Sequence, residues 1–259
     1  MIAQNKPEKY KVKIKRQDGP SQPAYYQTFE VPYRPGQNII SVLQYVAANP
    51  TTTDGKETSS PVWDSGCLEE VCGACSMVIN GLVRQSCSTL VDEMLPEGNT
   101  ITIEPMTKFP VVRDLFVDRQ RMFENLKKVK GWVPIDGTHD LGEGPQESQA
   151  DQEFRYALSR CMTCGCCLEA CPQFEKDNEF IGPQAIAQAV YFNMHETGKH
   201  LKNERLDALM GKGGLNDCGN AQNCVRVCPK GVPLTEAIAR LGRQITVHAV
   251  KEFFMGSKG

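Results

Sequence analysis

The sequence predicts an α+β chain: a small mixed β-sheet with one helix packed across it, followed by an all-helical second half. Three observations carry this. Before about residue 106, short segments alternate apolar and charged residues. After it, apolar residues recur at helical spacing. The 12 cysteines of the 259 residues form three tight groups, one in the first half and two embedded among the helices of the second.

The sheet half reads in order. Residues 9–16, KYKVKIKR, alternate Tyr10, Val12 and Ile14 with lysines, a half-buried strand. Residues 27–33, QTFEVPY, set Phe29 and Val31 on one face as a second strand. In NIISVLQYVAAN (38–49), Ile39, Ile40, Leu43, Val46 and Ala47 fall at helical spacing, with Asn38 as N-cap. A cysteine-bearing loop follows. SMVINGLVR (76–84) reads as a hairpin because Asn80-Gly81 suits a type I′ turn, and ITIEP (101–105) alternates again.

In the helical half, RDLFVDRQRMFENLKKV (113–129) sets Leu115, Met122, Phe123, Leu126 and Val129 on one helical face. The turn-rich PIDGTHDLGEGPQESQ (134–149) leads to a helix ending near Arg160. IGPQAIAQAVYFNMHE (181–196) has Pro183 in its first turn, where proline is tolerated. NERLDALM (203–210) stops at Gly211. PLTEAIARLGRQITVHAVKEFF (233–254) is a long final helix with Ile238, Leu241 and Ile245 inward. The join falls between residues 106 and 112, giving domains 1–108 and 109–259.

Composition narrows the function. Lys and Arg total 29 against 31 Asp and Glu, which argues against a nucleic-acid binder or a highly acidic shuttle. No apolar h-region follows the N-terminus, so no secretory signal is expected. No run approaches the ~18 apolar residues of a membrane span, so a membrane role would come through partners. Clustered cysteines without a signal favour metal ligation over a disulfide framework.

The first group, CLEEVCGACSMVINGLVRQSC, places Cys67, Cys72, Cys75 and Cys87 in the C-x4-C-x2-C…C spacing of plant-type [2Fe–2S] ligands. Gly73 lets the backbone approach the cluster, and neighbouring N–H groups can bond sulfur. A four-cysteine zinc site is the alternative, but zinc favours paired short knuckles.

The second group, RCMTCGCCLEACP, keeps the C-x2-C-x2-C-x3-C-P spacing only with Cys161, Cys164, Cys167, Cys171 and Pro172. Cys166 is left over and reads as a small buried residue. The third, DCGNAQNCVRVCPKG, supplies Cys218, Cys224 and Cys228, with Ala221 where a further cysteine would stand. In two-cluster ferredoxins the fourth cysteine of each run serves the other cluster. On that rule Cys161, Cys164, Cys167 and Cys228 hold a [4Fe–4S] cluster. Cys171, Cys218 and Cys224 hold the second site. A corner iron without its thiolate is readily lost, and three cysteines match [3Fe–4S]. Two other readings stay open: a fourth iron bound through Asp217 or water, or a degenerate, empty site. The histidines, His139, His195, His200 and His248, all lie outside the cysteine motifs, against a Rieske or mixed zinc site.

Three all-cysteine clusters leave little room for substrate chemistry and read as a wire with no catalytic residue of its own. No Gly-rich dinucleotide fingerprint is present, so a donor cofactor would sit on another polypeptide.

This order of motifs resembles the iron–sulfur subunit of succinate dehydrogenase and fumarate reductase over essentially the whole chain. The wording CLEEVCGACSMVINGLVRQSC, FPVVRDLFVDRQRMFENLKKVKGWVPIDGT and DCGNAQNCVRVCPKG is most similar to Bacillus-like succinate:menaquinone members. The resemblance implies a plant-type ferredoxin (β-grasp) domain followed by a bacterial-ferredoxin-like helical domain. It implies a chain that does not bind succinate but bridges an FAD flavoprotein and a membrane-anchor cytochrome b. Electrons would run from succinate through flavin, [2Fe–2S], [4Fe–4S] and [3Fe–4S] to quinone, linking the tricarboxylic acid cycle to respiration. The chain would be peripheral, on the cytoplasmic side of the cell membrane. Fumarate reductase, running in reverse, is the alternative direction. A freestanding ferredoxin or the wire of another flavoenzyme, and a zinc-stapled scaffold, are competing classes; near-neutral charge and the large helical half argue against a diffusing carrier.

One departure matters. Ubiquinone-using members carry tryptophan shortly after the motif's proline and histidine after the first cysteine of the last group. Here Pro172 is followed by Gln173, Phe174, Glu175 and Lys176, and Cys218 by Gly219; the tryptophans are Trp63 and Trp132. The quinone pocket is therefore expected mostly in the anchor, in keeping with menaquinone. Phe174–Ile181 is a candidate membrane-facing segment, which core packing would explain equally well.

Overall fold

The computed structural model describes residues 7–95, 99–134 and 147–255. They fall into two compact units, residues 1–118 and 119–259.

In the first unit the alternating segments become β1 (Lys9–Arg16) and β2 (Tyr25–Pro32), and the helical pattern becomes α1 (Ile39–Ala48). Then come β3 (Ser76–Ile79), β4 (Leu82–Gln85), a short α2 (Val91–Met94) and β5 (Thr100–Glu104). The sheet order is β2-β1-β5-β3-β4. β1 and β5 pair in parallel and every other pair is antiparallel. The β3–β4 hairpin turns on Asn80 (φ 48°) and Gly81 (φ 78°), both left-handed as a type I′ turn requires. Asn38 caps α1: its side chain accepts from the Ser41 N–H, and the Ser41 hydroxyl oxygen accepts from the Asn38 N–H. Tyr10, Val12 and Ile14 of β1 bury with Ile39, Leu43 and Val46 of α1 in one core.

Arg16 lies on the same alternating face as those three and is fully buried. Its Nε donates to Asp114 Oδ1 at 2.9 Å, and its other nitrogens donate to Gln27 Oε1 and to the Ser59 carbonyl and hydroxyl oxygens. The Asp114 carboxylate also accepts from the N–H groups of Gln17 and Val62. This ion pair explains a departure from the sequence pattern. Residues 113–117 are not the start of a helix; they belong to a small hairpin, β6 (Val111–Arg113) and β7 (Phe116–Val117), that turns at Asp114 (φ 49°). Leu115 joins the sheet unit's core, and that unit runs on to Asp118 rather than ending at residue 108.

The second unit holds α3 (Gln120–Lys128), α4 (Gln149–Ser159), α5 (Cys166–Glu169), α6 (Gly182–Met194), α7 (Lys202–Met210), α8 (Asn223–Arg226) and α9 (Leu234–Met255). No strand occurs among its described residues. Most of the turn-rich 134–149 segment lies outside the described residues. α6 is the hub: Ala185, Ile186, Ala187, Ala189 and Val190 are fully buried, and α3, α4, α5, α7 and α9 pack on it. Gly182 (φ +82°) opens it, and a Cβ there would fall 2.1 Å from the Leu168 side chain, so only glycine lets α5 approach. On α3 the inward face is Met122 and Asn125, whose Nδ2 donates to the Ile181 carbonyl. Phe123, expected on that face, is 55% exposed. In α9, Leu241 is buried, while Ile238 and Ile245 are half-buried.

Phe174, Phe180 and Ile181, the apolar residues of the segment considered as membrane-facing, are buried in the core, while residues 175–179 between them are exposed. Arg121 stacks on the Phe174 ring and donates to the Asn178 and Phe180 carbonyls. No described helix is long and apolar enough to cross a membrane.

Candidate iron–sulfur sites

The first cysteine group occupies the loop before β3 and the turn after β4. Left-handed backbone at Leu68, Glu70 and Gly73 winds the loop so that N–H groups face the thiols. Cys67 Sγ accepts from the N–H groups of Glu69 and Val71 at 3.3 Å. Cys72 Sγ accepts from those of Cys67 and Ala74 at 3.4 Å. Cys75 Sγ accepts from the Cys87 N–H, also at 3.4 Å, so Cys75 and Cys87 meet across the hairpin. The Glu69 and Val71 donors bring the Cys67 thiol down to about 7, while burial pushes Cys75 up to about 12. A buried thiolate needs a cation beside it, which iron supplies. Four thiols, three of them bonded by N–H groups, with a buried Ser86 hydroxyl that has no hydrogen-bond partner next to Cys87 in the chain, suit a [2Fe–2S] cluster.

The helical unit contains two cysteine-lined recesses. One, about 370 Å³ including its mouth, is lined by Cys161, Cys164, Cys167 and Cys228. Burial pushes Cys161 up to about 11 and raises Cys167 well above the usual thiol range. Cys228 Sγ accepts from the Val232 N–H at 3.3 Å. Gln184, from α6, completes the wall; it is almost fully buried and its Oε1 has no hydrogen-bond partner. Cys166 does not line the recess. It is fully buried on α5 and bonds to Cys164, which raises the Cys164 thiol more than burial does.

The other recess, about 340 Å³ including its mouth, is lined by Cys171, Cys218 and Cys224. Ala221 stands on its wall between Asn220 (φ 51°) and Gln222 (φ 60°), presenting a methyl group where a fourth thiol would be. Cys224 is raised by burial. Asp217 is not part of this wall; its carboxylate accepts from the Gly213 N–H at 3.0 Å. Asp217 thus closes a backbone turn and takes no part in the recess wall. Gln173 also lines the recess, and a Cβ at Gly219 would come within 2.7 Å of its Nε2. These two departures from the ubiquinone pattern therefore share one space.

The recesses sort seven cysteines four and three, each drawing on both runs. Their donor sets contain sulfur and no histidine or carboxylate. Of the described histidines, His248 bonds Asp207 at 2.7 Å, and His195 Nδ1 accepts from the Gly198 N–H. His139 lies outside the described residues. What sequence reading missed is the pair of glutamines: nothing in the periodicity marks Gln85, bonded to Cys75, or Gln184 as neighbours of thiols.

Residues 11–124 match the family described as a 2Fe-2S iron-sulfur cluster binding domain, and residues 157–232 match a 4Fe-4S dicluster domain. The chain is 54% identical over 241 residues to the succinate dehydrogenase iron-sulfur subunit of Bacillus subtilis (strain 168), covering 93% of this chain and 94% of that one. It is 32% identical over 229 residues to the fumarate reductase iron-sulfur subunit of Haemophilus influenzae, covering 84% and 85%. A chain of the Mycobacterium smegmatis Sdh1 complex in the apo form shares its fold at a TM-score of 0.73 and 22% identity, over 93% and 97% of the two chains. More than half of the aligned residues are shared with the Bacillus protein across nearly the full length of both chains, and on that ground the chain belongs to the family of succinate dehydrogenase iron–sulfur subunits.

Proposed function

We propose that this chain is the electron-carrying subunit of a succinate dehydrogenase, joined to an FAD flavoprotein and a membrane-anchor cytochrome b at the cytoplasmic face of the membrane. When bound, its [2Fe–2S], [4Fe–4S] and [3Fe–4S] clusters supply one-electron carriers between a two-electron flavin donor and menaquinone.

The chain's own residues hold and insulate those carriers. Cys67, Cys72, Cys75 and Cys87 hold [2Fe–2S], with backbone N–H groups stabilising the thiolate charge. Cys161, Cys164, Cys167 and Cys228 hold [4Fe–4S]. Cys171, Cys218 and Cys224 hold [3Fe–4S], because Ala221 gives a fourth iron no thiolate. The apolar walls limit solvent access, a lever on potential. Gln173 borders the three-iron recess, Gly219 stands after Cys218 where ubiquinone-using members carry histidine, and the quinone is bound mainly by the anchor.

The observation that carries this reading is the four-and-three sorting of cysteines with Ala221 on the smaller set. The test is anaerobic purification of the complex with metal analysis and EPR. About nine irons per chain (two, four and three) and a three-iron signal in the oxidised protein are expected; zinc, or a single cluster, overturns the reading. Succinate oxidation is favoured over fumarate reduction because identity is 54% to the succinate dehydrogenase subunit and 32% to the fumarate reductase subunit.

A further inference from the structure

Gln85 ends β4 and is buried at 2% exposure, between Cys75 and Ser76. Its carboxamide touches both. Cys75 Sγ lies 3.5 Å from Oε1, with the thiol donating, and Nε2 donates to Ser76 Oγ at 2.6 Å. This polarity belongs to a protonated thiol. A thiolate carries no proton and only accepts, so two acceptors would face each other across 3.5 Å in a buried site. The amide's oxygen and nitrogen are nearly isosteric, and which end faces which neighbour follows from the hydrogen-bond network. Turned end for end, the amide donates from Nε2 to the Cys75 thiolate and accepts at Oε1 from the Ser76 hydroxyl, which rotates away from the Gly73 carbonyl it otherwise donates to at 3.3 Å. The partner atoms are already at bonding distance on each side.

We infer that Gln85 is a tuning residue of the [2Fe–2S] centre: its side-chain N–H bonds the Cys75 thiolate and raises the reduction potential of the cluster. The inference rests on the proposed ligand set at Cys67, Cys72, Cys75 and Cys87. The physical basis is differential. Reduction adds one negative charge to the cluster and its thiolates, and a donor aimed at sulfur stabilises the reduced form more than the oxidised one. The backbone already gives Cys75 donors at Cys87 and Ser86; Gln85 adds one that a mutation can remove without altering the main chain.

The experiment is a redox titration of the assembled complex in membranes, followed by EPR, for the wild type and for Gln85→Met, which keeps the side chain's length and removes its donor. The [2Fe–2S] reduction equilibrium is expected to fall about tenfold, about 59 mV for one electron, with the potentials of the other two centres unchanged. An intact [2Fe–2S] signal with an unmoved midpoint overturns the role of Gln85 and leaves the ligand assignment standing. Absence of a [2Fe–2S] signal in the wild type overturns the ligand assignment itself. Should Gln85→Met not assemble, pulsed EPR of wild-type complex labelled with ¹⁵N in glutamine side chains decides. A weak coupling from one amide nitrogen supports the inference, and its absence refutes it.

Discussion

The cysteine loop of the sheet unit and the two recesses of the helical unit gather thiols by opposite means. The loop draws on a single stretch, residues 67–87, beside a core built from β1, β5 and α1. Its thiols are bonded by N–H groups of their own neighbourhood. The recesses bring residues 161–171 together with residues 218–228. Each stretch contributes a helix of only four residues, α5 or α8, far too short to be stable alone. Burial raises several of the recess thiols with few donors to offset it. The sheet unit has a core of its own beside the cysteine loop; the helical unit's cysteine-bearing segments would rely on the clusters proposed for them.

Four substitutions test that contrast. The largest effect is expected from Cys228→Ser, which breaks the proposed [4Fe–4S] ligand set. Structural metal sites contribute about 10 kcal/mol in small domains, so protection of α5, α6 and α8 in hydrogen exchange should fall by about 5 kcal/mol or more. β1 and β5 should keep theirs; equal loss in both units would end the contrast. Asp114→Ala does the converse. It leaves Arg16 charged and buried without its partner, costing about 3–5 kcal/mol, read by urea denaturation followed at the sheet unit. Full retention of stability would show that the carbonyls around Arg16 suffice. Asn38→Ala removes the cap of α1 and should cost about 1 kcal/mol, visible as a small drop in the same midpoint. Ala221→Cys, at an exposed position, should change stability least. It should convert the three-iron EPR signal toward a four-iron one and slow quinone reduction; an unchanged spectrum would count against the three-iron assignment.

Much of this was legible in the residues. Asn80-Gly81 announces its hairpin because few residues tolerate two left-handed positions in succession. The cysteine spacings carry their own pairing rule, and the recesses group the thiols along the same lines. Parity even places Arg16 inward with Tyr10, Val12 and Ile14, but its charge disguises it, because its partner Asp114 lies far along the chain. The same hidden pair misled the reading of residues 113–129. Leu115, Met122 and Val129 keep helical spacing by coincidence across a hairpin and a helix. Phe123 looked like core, but buried Asn125 holds that face through the Ile181 carbonyl. Asp217 had a second use that spacing does not reveal, the Gly213 N–H. Long-range polar contacts leave no periodic trace, and the misreadings of residues 113–117 and of Phe123 came from two of them.

The exchange of cysteines between the two recesses bears on biogenesis. During synthesis the sheet unit has all four proposed [2Fe–2S] ligands once residue 87 has left the ribosome, and N-terminal domains fold first. Neither helical centre is complete at that stage, because one waits for Cys224 and the other for Cys228. A chain cut short before residue 218 would hold the thiols of its first proposed centre and a full set for neither of the others.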